Sequence, residues 1–220
     1  MSKKFLALVG SPRPASTSSH LAQYLLDGLA ARGWQTQALV ACAAVRQPEK
    51  WPDLEAAFRE ADAVAIVTPL YVDCVPAELT AALERLVEAR RGRSGRLCAV
   101  VNCGFVEAHQ NDVALEIYRL FARDAGLHWA GGLAIGEGGM LAGKPLAAQG
   151  GKARNVVAAF DQTIAALDAG EDIPESAAAG IRSGGIPTWA YCAIANFSMI
   201  IGAAKHGNLF QIGATPYARK

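Results

Sequence analysis

The chain has no Cys-x-x-Cys pair, no Gly-x-Gly-x-x-Gly after its first apolar run and no block of like charge. Each absence removes a class of protein. Five cysteines, Cys42, Cys74, Cys98, Cys103 and Cys192, are an odd number without paired spacing. They argue against a disulfide framework, a zinc knuckle and an iron–sulfur cluster, and they fit a reducing cytoplasm. No second His or Cys stands at ligand spacing, so no metal is expected. Lys and Arg number 21 against 20 Asp and Glu, for a formal charge of +1. With no basic run interleaved with aromatics, this disfavours nucleic acid and anionic membranes as partners. The opening Met1 to Val9 loses its apolar character at Gly10 and Pro12, short of the ~7–15 residues of a signal-peptide core, and reads as a first strand. The missing dinucleotide glycines count against a conventional nicotinamide dehydrogenase.

Apolar content is 52% over 220 residues, enough for one well-buried core plus an appendage. Phe5–Val9, Ala63–Val67 and Leu97–Val101 are unbroken apolar pentads, the pattern of central parallel strands covered on both faces. The stretch 34–40 alternates in its first part and predicts a strand near the sheet edge; a fifth strand is expected over Ala130–Ile135. Helical patterns fall at Thr17–Ala31, Asp53–Glu60, Pro76–Ala89, Asn111–Ala125 and Lys152–Ala169, with Gly126 and Gly170 as C-terminal caps. Five β–α units at ~25–35 residue spacing define a doubly wound α/β domain with a five-stranded parallel sheet and helices on both faces.

After Ala169 the pattern changes. Residues 169–187 are rich in Gly, Ser and Ala and read as a linker. Beyond them Trp189, Ala193, Phe197, Ile200, Ile201 and Ala204 share one helical face, while Tyr191, Ile194 and Met199 make the other faces apolar. At roughly 16–18 residues, with Asn196 and Ser198 inside, this helix is at or below the limit for a membrane span. It is expected to pack on the domain or across a homo-oligomer rather than in a membrane.

Three loops follow strands one, three and four, and in an open α/β sheet they converge on one crevice. In Gly10-Ser11-Pro12-Arg13-Pro14-Ala15-Ser16-Thr17-Ser18-Ser19 a strand runs through a hydroxyl-rich turn with one guanidinium into a helix N-terminus, the arrangement of a phosphate site. Helix capping alone is the other account of these hydroxyls. In Thr68–Pro76 two prolines stiffen a turn that carries Tyr71, which suits a flat heteroaromatic ligand; Asn102-Cys103-Gly104-Phe105 adds an amide, a glycine and a second ring. Tyr71 and Phe105 are also readable as core rings, and Cys74 and Cys103 as inert small side chains. Glu107 and His109 lie near a helix start, where capping and solvation account for them, and His20, His128 and His206 show no partner.

Gly10-Ser11-Pro12-Arg13 with Ser16 and Ser18, followed by Thr68-Pro69-x-Tyr71 ahead of a Pro-started helix, resembles the NAD(P)H-dependent FMN reductases of the flavodoxin-like superfamily over roughly residues 3–170. The resemblance implies a flavodoxin-like FMN-binding domain over 1–170, and a linker with a C-terminal helical extension over 171–220. It implies that Ser11, Arg13, Ser16, Thr17 and Ser18 hold the FMN phosphate. Pro69, Leu70, Tyr71 and Val72 would lie along the ribityl chain and ring, and Asn102, Gly104 and Phe105 would border the other edge. The flavin carries the chemistry, so no catalytic side chain is expected; NADPH or NADH is the co-substrate. The implied activity is a cytoplasmic, homodimeric or homotetrameric oxidoreductase that reduces a small acceptor such as a flavin, quinone, azo or nitro compound. A flavodoxin-type electron carrier and a flavin-free ligand-binding module on the same fold are the alternatives. Near-neutral charge disfavours the carrier, whose partner docking relies on a strongly acidic surface.

Two features depart from the family pattern. Thr80 stands where many relatives have a lysine, and the clustered cysteines of the iron–sulfur branch are missing. Separately, residues 138–145 match the Gly-x4-Gly-Lys start of a nucleotide phosphate loop, but Pro145 replaces the magnesium-binding hydroxyl and removes an amide. That stretch is expected instead as a flexible loop bordering the flavin or an oligomer partner. Arg13, Arg90, Arg91 and Arg93 are candidates for a nicotinamide 2′-phosphate, although a basic patch after a helix, such as the last three, is usually a solvated face.

Overall fold

The computed structural model describes residues 2–90, 93–141, 144–182 and 187–215. In chain order the elements are β1 (Lys4–Val9), α1 (Thr17–Ala30), β2 (Gln35–Val40), α2 (Ala41–Arg46), α3 (Trp51–Glu60), β3 (Ala63–Pro69) and α4 (Ala77–Leu86). They continue with β4 (Arg96–Asn102), α5 (Asp112–Asp124), β5 (His128–Ile135), α6 (Arg154–Ala169), α7 (Glu175–Arg182) and α8 (Thr188–Lys205). The five strands pair in parallel in the order β2-β1-β3-β4-β5. The apolar pentads become the three central strands, and the alternating one lies at the edge.

Strand periodicity divides the core in two. Phe5, Ala7 and Val9 with Ala65, Val67, Cys98 and Val100 face α1 and α6, through Leu21, Leu25, Phe160 and Ile164. Leu6, Leu8, Val64, Ile66, Ala99 and Val101 face α3, α4 and α5, through Phe58, Leu79, Leu83 and Tyr118. This is the two-sided burial that unbroken apolar strands require. Gly170 ends α6 in the left-handed region at φ 76°, and Gly126, at φ 69°, follows α5.

Two helices depart from the sequence expectation. α2 is too short to show a period, and α7 occupies part of the stretch read as linker. Ala177 and Ile181 of α7 are buried in the α1/α6 core, and the Ile173 amide donates to Ala130 O at 2.7 Å. A small side chain repeating at helical spacing buries a face without leaving a strong apolar pattern.

The chain forms two compact units, Met1–Gly185 and Ile186–Lys220. The first holds the whole sheet with α1 to α7. The second holds α8, along which Trp189, Ile194, Phe197, Met199, Ile200 and Ile201 are exposed. Among the described residues no helix is long and apolar enough to cross a membrane.

The amino end of the sheet is held by arginine. Arg90, read as a solvated cation, is buried: Nη1 donates to Phe58 O at 2.5 Å and Ala61 O at 2.7 Å, and Nη2 to Ser94 O at 2.8 Å. It thereby satisfies carbonyls at the end of α3, which has no further turn to pair them. Burial, with Arg93 beside it, pushes the guanidinium down to about 10. Arg93 donates to Glu60 O at 3.0 Å. Both arginines therefore lie roughly 20 Å, the length of a strand, from the loops that follow the carboxyl ends. They do not meet a nicotinamide docked there; Arg91 lies outside the described residues.

Candidate functional site

Loops from β1, β3, β4 and β5 are bolted together at the carboxyl edge. At Gly10 the backbone passes so near β3 and α4 that a Cβ would lie 2.5 Å from Thr68 Oγ1 and 2.6 Å from Leu79 Cδ2. Only glycine permits that approach. The Gly10 amide donates to Val67 O at 2.9 Å. α1 begins at Thr17 because Ser16, in extended conformation, caps it: Ser16 Oγ accepts from the Ser19 amide at 3.1 Å. Capping and ligand binding are thus compatible uses of one turn, since a helix start leaves further amides without intrahelical partners. Ser11 and Ser18 are buried, and Ser11 Oγ accepts from the Arg13 amide at 3.3 Å, while the Arg13 side chain is exposed.

Asn102 ties three elements. Its Nδ2 donates to Ser18 Oγ at 3.0 Å and to Thr68 O at 2.9 Å, and its carbonyl accepts from the Leu70 amide at 2.8 Å. The β3 loop then turns back in a two-residue hairpin in which Tyr71 and Cys74 exchange amide–carbonyl bonds at 3.0 and 3.1 Å. Val72 and Asp73 sit in the left-handed region, at φ 48° and 57°, as such a turn demands. For a β-branched residue that conformation is strained, and the Val72 side chain at the tip is 97% exposed.

The β4 and β5 loops lie on each other. The Cys103 amide donates to Ile135 O at 3.0 Å, the Gly138 amide to Cys103 O at 2.8 Å and the Glu137 amide to Phe105 O at 2.6 Å. Buried Asn111 adds Nδ2 bonds to Ala108 O at 3.1 Å and Ile135 O at 3.2 Å. A Cβ on Gly138 would stand 2.7 Å from Cys103 O and 3.3 Å from Asn102 Oδ1. Burial pushes the Cys103 thiol above its ordinary value, which keeps it protonated and inert. Cys74 is exposed.

Between these loops is a cavity of about 310 Å³ lined by Ser11, Arg13, Ala15, Ser16, Thr17, Ser18, Pro69, Tyr71, Asn102, Gly138 and Gly139. Ser11, Arg13, Ser16, Thr17, Ser18, Pro69, Tyr71 and Asn102 of the sequence-derived set stand together in it. Leu70 packs instead against the α3/α4/α5 core, Val72 caps the hairpin, and Gly104 and Phe105 are exposed beyond the lining. Ala15, Gly138 and Gly139 complete the wall; the glycine run after β5 is the signal for the last two. Ala142 and Gly143, inside the rejected phosphate-loop match, lie outside the described residues. Glu107 and His109 are exposed and do not line the cavity, and Thr80 Oγ1 donates to Pro76 O at 3.4 Å. His128 has a partner that sequence did not reveal: Nε2 lies 2.7 Å from Asp172 Oδ1, on the far side of the sheet's length. No cluster of His, Cys, Asp and Glu able to hold a metal occurs among the described residues.

Hydroxyls, a guanidinium and a helix start at one end, with a stiff proline, a ring and an amide at the other, fit a phosphorylated flat heterocycle. The volume is at the lower end of ligand pockets, so a bound ring would keep one face open. The strand order, with its reversal beside β1, and this cavity at the carboxyl edge define a flavodoxin-like mononucleotide-binding protein.

The chain belongs to the NADPH-dependent FMN reductase family, whose model matches residues 3–128. It is an NAD(P)H-dependent flavin oxidoreductase, with FMN as cofactor and NAD(P)H as co-substrate. No curated protein matches it by sequence. Among solved structures it is similar to an NADH:FMN oxidoreductase in its apo form, at 22% identity and TM-score 0.58, over 84% of this chain and 97% of that one. It is also similar to the NAD(P)H:quinone oxidoreductase of Methanothermobacter marburgensis, at 16% identity and TM-score 0.51, over 62% and 85%.

Proposed function

We propose that the 310 Å³ cavity is the FMN site, with the phosphate against Ser11, Arg13, Ser16, Thr17 and Ser18. Pro69 and Tyr71 follow the ribityl chain and ring along one edge and Asn102 the other, with Val72, Gly104 and Phe105 in the rim loops beyond them and Leu70 anchoring its loop in the core. The observation that carries this reading is that one cavity unites the hydroxyl-rich turn with Pro69, Tyr71 and Asn102. When bound, FMN supplies the hydride-accepting centre. Arg13 brings a full positive charge to the phosphate end, and the start of α1 adds backbone amides. Asn102 holds the Ser18 hydroxyl in place and closes the inner wall. The Tyr71–Cys74 hairpin fixes the ring of Tyr71 at the rim. No side chain of the site has to act as acid or base.

The acceptor is a small, flat molecule: a flavin, a quinone, or an azo or nitro compound. Exposed Val72 and Phe105 in the rim loops offer apolar contact to such a ring. The protein works in the cytoplasm as a homodimer or homotetramer, with the C-terminal extension packed on the domain or on a second copy. The test is the absorbance spectrum of the purified chain after incubation with FMN, followed by anaerobic NADPH or NADH and then each acceptor class. Flavin bands that bleach with nicotinamide and return with a quinone or azo dye support the reading. Bands that never form sink the site assignment, and bands that bleach but return with none of the acceptors sink the acceptor class.

A further inference from the structure

The segment Gly136-Glu137-Gly138-Gly139 leaves β5 and forms one wall of the flavin pocket through its last two residues. It contains one residue in the left-handed region, at φ 54°, and that residue is the one that is not glycine. Neither Gly136 nor Gly138 is free to exchange roles with it: a Cβ on Gly136 would collide with Val106 O, and one on Gly138 with Cys103 O. At position 137 a glycine would adopt the backbone without strain. A side chain kept where it strains the backbone has to contribute something that glycine lacks.

The Glu137 side chain is buried, at 8% exposure, and lines a second cavity on the other side of the same loop. This cavity measures about 40 Å³, room for water-sized groups and too little for a ligand. Lys152, two residues before α6, Asn155, in its first turn, and Arg182, at the end of α7, share its lining. Glu137 is the one carboxylate among the lining residues, which include two cations, Lys152 and Arg182, the latter paired with Asp112 of α5. The backbone of the same residue donates to Phe105 O at 2.6 Å. One residue therefore bonds to the β4 loop through its backbone and places its side chain in a cavity lined from around the start of α6 and the end of α7.

We propose that Glu137 is a positioning residue for FMN: its buried carboxylate, in the cavity whose lining it shares with Lys152 and Arg182, fixes the Gly138–Gly139 wall of the flavin pocket. The proposal rests on the FMN site assigned above. It is tested on the full chain, stripped of flavin, by titration with FMN and by thermal melting of the flavin-free protein, for the unsubstituted chain, Glu137→Gly and Glu137→Gln. Glu137→Gly relieves the left-handed strain, so the flavin-free protein melts at the same temperature or higher, while FMN binds about tenfold or more weakly. A turn that was merely structural would not move the two readouts in opposite directions. If Glu137→Gly binds FMN within about twofold of the unsubstituted chain, the proposal is overturned. Should Glu137→Gly melt lower, Glu137→Gln decides: it keeps the shape and removes the charge, and weaker FMN binding at unchanged melting supports the role, whereas unchanged binding overturns it. An unsubstituted chain that takes up no FMN overturns the site assignment and this proposal together, an outcome distinct from equal binding by chain and variant.

Discussion

Arg13 and Asn102 line the same cavity and differ in what else they do. The Arg13 side chain is exposed and, among the described residues, makes no hydrogen bond or ion pair, whereas Asn102 is buried and joins β4 to α1 and β3. Removing them should therefore separate binding from stability. Arg13→Ala is expected to weaken FMN binding by about 1–3 kcal/mol, the worth of a charge-assisted phosphate contact, and to leave the melting temperature of the flavin-free protein unchanged. Asn102→Ala is expected to weaken FMN binding and also to destabilise the flavin-free protein by about 1–3 kcal/mol, because buried Ser18 Oγ and Thr68 O lose their donor. Fluorescence titration and melting curves on both variants check the contrast. Equal melting of Asn102→Ala and the unsubstituted chain would remove Asn102 from its joining role.

The helices and strands were legible where periodicity was strong. The three central strands announce themselves because burial on both faces forbids polar alternation, and α1, α3, α4, α5 and α6 because each buries a stripe of large side chains. α2 and α7 hide for the opposite reason: α2 has only six residues, and α7 buries Ala177 and Ile181, one of them too small to signal a face. At the site, motif order placed Ser11 to Ser18 and Tyr71 correctly on loops of one edge. It could not tell that Leu70 turns into the core, or choose for the loop after β5 between the cavity and an oligomer partner, since loop contacts are set by tertiary packing. Long-range ion pairs are invisible in the same way. Asp172, after α6, accepts from Arg96 and lies 2.7 Å from His128 Nε2, so it ties the segment before α7 to the amino ends of β4 and β5. His128 first, and Arg96 after it, hold the Asp172 carboxyl below its ordinary value, against a smaller opposing effect of burial. A depressed carboxyl contributes stability above its unfolded pKa of about 4 and loses that contribution as pH falls through the lower folded value. Asp172→Asn is therefore expected to lower the melting temperature at neutral pH and to converge on the unsubstituted chain as pH falls below the ordinary carboxylate range. A gap that stays constant from neutral pH into acid would assign the effect to packing rather than to the charge.

For the molecule as a whole, the proposed FMN cavity and the arginine-held contacts occupy opposite ends of the sheet. The cavity is at the carboxyl edge, while the amino edge is closed by Arg90 and the Arg96–Asp172–His128 cluster. The C-terminal unit follows neither pattern. Over its 18 residues α8 has one charged side chain, Lys205 at the last position, and it exposes Trp189, Phe197 and Met199 at 75%, 65% and 70%. A helix that lies on a membrane surface needs a cationic polar face opposite its apolar one, and α8 has none. A helix apolar on several faces is stable in water only when protein covers it, and an exposed patch of many large apolar residues exceeds what monomers ordinarily carry. Association of two copies through α8 meets that requirement with one self-complementary surface. Light scattering on the eluting full chain is expected to give a mass of two or four copies of the 23.1 kDa chain. Placing glutamate at both Phe197 and Ile201 is expected to lower that mass, because two charges per copy would have to be desolvated in the interface. The far-ultraviolet helix signal should stay within error, which separates loss of association from loss of folding. A monomeric mass for the unsubstituted chain at micromolar concentration, or an unchanged oligomer after the double substitution, would mean that α8 is covered by its own chain instead.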